Sequence, residues 1–125
     1  MSASTFFDAI ALELLELETD RGSGRLEIRE ELKGPLQFLP AAALAAAAEL
    51  LVMRCIESNG RQRRVYTKRV ETHLLVEEPP DAGRVFATAA LTHEGRSSQT
   101  WTVDFAQADG RPWASSRLLV SIRGR

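Results

Sequence analysis

Two hydrophobic periods divide the chain. From residue 41 to residue 56, Ala41-Ala-Ala-Leu-Ala-Ala-Ala-Ala-Glu-Leu-Leu-Val-Met-Arg-Cys-Ile56 is apolar around almost its whole circumference, which is the pattern of a helix buried on most sides. Pro40 suits a first helical position, because its ring fixes φ and it has no amide proton to leave unpaired. Asn59-Gly60 supplies a left-handed stop, so one helix over about residues 40–58 is predicted. Its run of alanines lets other backbones approach closely. Downstream the period becomes two: Val70, Thr72, Leu74 and Val76 share a face, as do Val85, Ala87, Ala89 and Leu91. Trp101, Val103 and Phe105 alternate with Thr100, Thr102 and Asp104, and Leu118, Val120 and Ile122 alternate with Arg117, Leu119, Ser121 and Arg123. Each is the signature of a strand with one buried face.

Upstream, Arg25 to Arg29 reads as a strand, and Ile10 to Glu18 is taken as another although Leu and Glu favour helix intrinsically. Turn signals at Arg21-Gly-Ser-Gly24, Gly34-Pro35, Pro79-Pro80, Glu94-Gly95 and Asp109-Gly110 mark the connections. The Gly22–Gly24 stretch is expected to turn the first strand into the second, and Phe6-Phe7 to form a short helical cap. The order is two strands, a long buried helix and four strands. That is an α+β pattern in which a curled antiparallel sheet covers one helix. One helix cannot cover such a sheet completely, and leftover edge strands commonly pair across a dimer axis, so self-association is expected.

The chain has 125 residues, within the size of one domain with one core, so a single domain over 1–125 is expected. Hydrophobic residues make up 44% and charged ones 26%, enough to collapse without metal or disulfide. The net charge is −1 and the signs are interspersed, which leaves no electrostatic footprint for nucleic acid or membrane. The exception is Arg61-Gln62-Arg63-Arg64, a solvated turn after the helix or an anion contact. Cys55 is the only cysteine; it lies in an apolar run and reads as a packing thiol in a reducing compartment. No stretch approaches a membrane span or a secretory leader, so a cytoplasmic protein is expected.

With these elements in place, the chain resembles the hotdog-fold acyl-CoA thioesterases of the phenylacetate-degradation and 4-hydroxybenzoyl-CoA type, over nearly its whole length. The strand order carries the resemblance. So does Leu39-Pro-Ala-Ala-Ala-Leu-Ala-Ala-Ala-Ala-Glu49, which matches the family's His-Gly-Gly-Ala-Leu segment ending in a carboxylate. His93-Glu-Gly-Arg-Ser97 and Asp109-Gly-Arg111 match the last hairpins. The resemblance implies that Glu49 is the general base or nucleophile toward a thioester, and that the Ala41 amide, with Ala42 beside it, polarises the carbonyl oxygen. A helix N-terminus suits that task, since its N–H groups are unpaired and its dipole end is positive. Ala41 and Glu49 are about 12 Å apart along a helix, so the two must come from different chains, in a homodimer or a dimer of dimers.

Glu49 read as a plain surface charge fits less well. Arg54, Glu57 and Ser58 cluster on another arc, while Ala45, Val52, Met53 and Ile56 surround Glu49 at helical spacing. The departure from the family is Pro40-Ala41-Ala42 in place of His-Gly-Gly: the imidazole is absent and two methyls narrow the approach to the backbone. Gln37, just before the helix, is a candidate to orient a carbonyl or a water, or a loop residue bonded to backbone. Met53, Thr72 and His73 are candidates to line a substrate pocket, and Arg64 and Arg96 to meet the phosphates of CoA. His73 and His93 also fit plain structural or solvent-exposed roles. The histidines and the cysteine show no metal-ligand spacing, so no metal is expected, and CoA enters only as part of a substrate. The leading expectation is hydrolysis of an acyl-CoA or acyl-carrier-protein thioester. A non-catalytic acyl-thioester-binding hotdog protein is the alternative. A hydroxyacyl-thioester dehydratase is disfavoured, because that class needs a histidine near Pro40 and an acid where this chain has Ala46.

Overall fold

The alternating segments become the strands of one sheet, and the apolar alanine-rich segment becomes the helix that lies across it. A computed structural model describes residues 10–27, 41–60, 64–76 and 84–123. In chain order the elements are β1 (Leu12–Leu17), β2 (Arg21–Glu27), α1 (Ala41–Ile56), β3 (Arg64–Leu74), β4 (Arg84–Glu94), β5 (Ser98–Ala106) and β6 (Pro112–Arg123). The sheet order is β1-β2-β4-β5-β6-β3, with every neighbouring pair antiparallel. This is the expected hotdog arrangement. Within the segment 10–18, Leu12–Leu17 forms a strand despite its helix-favouring composition, because pairing with β2 decides it.

Helix α1 ends as its sequence dictates. A 3-10 turn over Glu57–Asn59 follows Ile56, and Gly60 takes φ 79°, the left-handed conformation that glycine adopts without steric cost. The hairpins fall where Glu94-Gly95 and Asp109-Gly110 place them: Gly95 N–H donates to Ser98 O (2.8 Å), and Gly110, at φ 91°, donates to Gln107 O (2.8 Å). Pro40, Gln37, Phe6-Phe7 and Arg61 to Arg63 lie outside the described residues. Arg64, expected in the turn after the helix, instead opens β3.

The stretch Arg21-Gly-Ser-Gly24 overturns an expectation. It is the first part of β2, not a turn; the chain reverses earlier, where Glu18 N–H donates to Arg21 O (2.8 Å). Its glycines provide space. A Cβ on Gly22 would collide with Cys55 Sγ and stand 2.9 Å from Glu16 O, and one on Gly24 would stand 3.0 Å from Leu12 Cδ1. Glycine at position 22 lets α1 press directly on the β2 backbone, and glycine at position 24 leaves room for the Leu12 side chain of β1.

The core is the concave face of the sheet against α1. Val85, Ala87 and Ala89 of β4, Trp101, Val103 and Phe105 of β5, and Leu118 and Val120 of β6 are buried there, facing Leu44, Ala47, Ala48, Leu51, Val52 and Cys55. Each large side chain so buried contributes about 1.5–3 kcal/mol. Trp101 is fully enclosed because its indole has a partner: Nε1–H donates to Gln99 Oε1 (2.8 Å).

Two outcomes follow from the α1–β2 contact. Gly22→Ala should lower stability by about 1–3 kcal/mol in urea unfolding. Cys55→Ala in the same chain should recover only part of that loss, because the clash with Glu16 O remains. Burial pushes the Cys55 thiol up from 9.0 to about 11, since the thiolate is desolvated. The stabilisation this brings is complete below pH 9 and is lost as pH rises through about 11, where the folded chain must release a proton that the unfolded chain has already given up. Urea titrations from pH 8 to 11 should therefore show a steeper loss of stability for the wild type than for Cys55→Ala.

Candidate functional site

The sheet covers α1 on one side only. Ala43, Leu44, Ala47, Ala48, Leu51, Val52, Cys55 and Ile56 are buried, whereas Ala41 and Ala42 are exposed and Ala45, Ala46, Glu49, Leu50 and Met53 are half-buried. At 100° per residue, Ala42, Ala46, Glu49 and Met53 fall on one stripe. Glu49 is the only charge within it, bounded on one flank by the buried Val52 and Ile56. It makes no hydrogen bond or ion pair among the described residues. Arg54 is exposed about 140° round the helix from Glu49. At the start of α1 no acidic side chain occupies the first turn, and its first amides have no partner within the helix.

On the concave side, Thr72 of β3 faces Ser116 of β6, and their hydroxyl oxygens are 2.7 Å apart. Ser116 is fully buried. It was not singled out from the sequence, yet its parity on β6, between Ala114 and Leu118, puts a hydroxyl on the apolar face. His73 does not join this pair. Successive residues of a strand point to opposite faces, and His73 lies on the convex side, largely exposed, with Nε2 3.9 Å from Glu71 Oε2. Thr72 and His73, both named as pocket candidates, therefore face opposite sides of the sheet. His93 is exposed at the end of β4.

Arg64 and Arg96 come to the same end of the sheet. Arg64 is the register partner of Arg123, and Ile122 N–H donates to Ser97 O (3.0 Å), which sets the β4–β5 hairpin beside the end of β6. A second feature missed in the sequence is the buried amide of Gln99. It accepts from Trp101 and donates through Nε2 to Glu94 Oε2 (3.0 Å). It forms part of the wall of a cavity of about 240 Å³ shared with Asp20, Ile56, Asn59 and Leu91. That cavity adjoins the C-terminal end of α1, the end opposite the Ala41 amide. Among the described residues, no group of three or more His, Cys, Asp or Glu could hold a metal ion, and no helix is long and apolar enough to cross a membrane.

No protein-family model matches the chain, and no curated protein matches it. Solved structures do. The conserved protein PA5202 from Pseudomonas aeruginosa is similar with a TM-score of 0.83 at 18% identity, over 98% of this chain and 95% of that one. The thioesterase SAV0944 from Staphylococcus aureus, crystallised with a glutamine replaced by alanine, gives a TM-score of 0.82 at 17% identity, over 96% of this chain and 99% of that one. The thioesterase HI1161 from Haemophilus influenzae gives 0.80 at 19% identity, over 98% of this chain and 85% of that one. Likeness at such identities is likeness of backbone, and with the strand order and the single crossing helix it makes this chain a hotdog-fold domain.

Proposed function

We propose that the protein is a thioester hydrolase, acting on an acyl group carried by CoA or by an acyl carrier protein. The observation that supports this most is Glu49, a carboxylate without a partner among the described residues, set in an uncovered apolar stripe of α1. A carboxylate placed beside a dry surface is suited to take a proton from water as it attacks the thioester carbonyl, or to attack that carbon itself. The Ala41 amide, with Ala42 next to it, donates to the oxygen as negative charge develops there, and the thiol leaves as the carbonyl re-forms. Met53, one turn beyond Glu49, lies on the acyl side, and the Thr72–Ser116 hydroxyls offer polar atoms on the concave face. Gln37 orients the carbonyl or the water.

The rise of an α-helix separates Ala41 from Glu49 by about 12 Å, so one chain cannot apply both groups to one carbon. The reaction centre is therefore shared between two copies whose α1 helices run antiparallel across a dyad. Strand β3 supports this reading: it is an 11-residue strand at the edge of the sheet, and a long unpaired edge is a template for another strand. Several structurally similar proteins are named thioesterases, in keeping with the same reading. A binding protein that holds an acyl thioester without cleaving it is the second reading. It is favoured by Pro40-Ala41-Ala42, which lacks the imidazole and narrows the approach to the helix start.

A panel of acyl-CoA substrates separates the two. Wild-type protein should hydrolyse at least one of them, and Glu49→Ala should lower its kcat by roughly 10²–10⁴-fold. Hydrolysis that survives the substitution removes Glu49 from the mechanism, and saturable binding with no turnover of any substrate decides for the binding protein. In solution, light scattering should give a mass at least twice the 13.8 kDa of one chain; a strict monomer would defeat the shared reaction centre.

A further inference from the structure

Asn59 is the chain's only asparagine, and glycine follows it. The pair closes α1: Glu57–Asn59 forms the 3-10 turn, and Gly60 caps it at φ 79° and ψ −1°. All four residues from Glu57 to Gly60 are exposed, and the turn buries nothing. The backbone N–H of Gly60 donates to Glu57 O (3.0 Å). A turn that carries so little packing opens at small cost. An asparagine side chain is an amide whose carbonyl carbon lies within reach of the next residue's backbone nitrogen, and a glycine there has no Cβ to obstruct the ring that the two would close.

A second dipeptide of the same kind shows what sets Asn59 apart. At Asp109-Gly110 the backbone is similar, with Gly110 at φ 91° and its N–H donating to Gln107 O (2.8 Å). The side chain there is tied down: Asp109 Oδ1 accepts from the Arg111 backbone N–H (3.0 Å) and Oδ2 from Arg111 Nε–H (2.6 Å). The Arg111 backbone N–H above all, with its guanidinium, holds the Asp109 carboxyl below its usual range and keeps it ionised. A carboxylate repels an incoming nucleophile, whereas the Asn59 amide carries no charge.

We propose that Asn59 is a site of spontaneous covalent modification, at which the amide becomes aspartate or isoaspartate and α1 acquires a negative charge at its C-terminal end. When the turn opens, the nitrogen of Gly60 gives up its proton to water or hydroxide and bonds to Cγ of Asn59. The side-chain nitrogen takes up a proton and leaves as ammonia. Water then adds to either carbonyl of the ring and breaks one of its two C–N bonds. One water is consumed and one ammonia released, with no change of oxidation state.

The new charge falls where the fold is sensitive to it. Asn59 shares the wall of the 240 Å³ cavity with Asp20 and Glu94, and the end of α1 is the negative pole of the helix dipole. A third carboxylate is repelled by both. In the isoaspartate product the backbone also lengthens by one CH2 between residues 59 and 60, which carries the N–H of Gly60 away from Glu57 O. The helix is thereby loosened one turn from Cys55, where it lies against Gly22. This holds whatever reaction Glu49 performs.

The test uses the full chain, kept at mildly alkaline pH both folded and in urea, then digested with trypsin, which cuts after Arg54 and Arg61 and isolates Cys55–Arg61. In the folded sample this peptide should gain the mass difference between an amide and an acid, and split into aspartate and isoaspartate forms that chromatography separates. Its rate should be no more than about tenfold below that in urea, the slowing that opening one exposed turn imposes. Asn59→Gln, which would have to close a larger ring, should stay unchanged over the same period, and the peptide holding Asp109 should gain no isoaspartate. Asn59→Asp should melt about 1–5 °C below the wild type, and fully converted wild type should melt no higher than Asn59→Asp. Conversion confined to the urea sample overturns the proposal, as does a folded chain that turns acidic through other residues while Cys55–Arg61 stays intact. An Asn59→Asp chain as stable as the wild type removes the effect on α1.

Discussion

The structure depends on how closely α1 lies on the sheet. At Gly22 the Sγ of Cys55 lies directly against the β2 backbone, which is possible only because β2 carries glycine there, and alanine fills most of the first half of α1. Close approach lets the concave strands wrap one side of the helix with small and medium residues such as Ala87, Ala89 and Val103, at the density expected of a protein interior. A helix held so near the sheet is covered on that side alone. The side turned away keeps Ala42, Ala46, Glu49 and Met53 outside the core.

That uncovered side is where the chemistry is proposed. A carboxylate in an apolar stripe is costly to shield from water unless another surface completes its surroundings, and helix geometry keeps the amides of the first turn beyond its reach. Both considerations are the reason the proposed reaction centre is shared with a second copy. The edge position of β3 offers a way to hold that copy, since its backbone groups on the free side have no partner in the sheet order.

Strand alternation then assigns every remaining residue to one of two surfaces. Thr72 and Ser116 belong with the helix, while His73, Tyr66 and Arg64 belong to the convex face, though Thr72 and His73 are neighbours in the chain. The same ladder joins Arg64 to Arg123, which are far apart in sequence, and the hydrogen bond from Ile122 to Ser97 adds Arg96. Three arginines are thus brought together from β3, β6 and a hairpin that no local pattern connects.

The sequence by itself determined the long helix, its glycine stop, the four strands after it and the two hairpin turns. These are local or periodic properties, readable from residues three or four apart on a helix and two apart on a strand. It misjudged Arg21 to Gly24, because a glycine that frees the backbone for a turn and a glycine that clears space for a helix look alike until the helix is in place. It also overlooked Ser116, Gln99 and Arg123. Their significance lies in what stands across from them, and only the pairing of strands distant in the chain decides which side chains face each other.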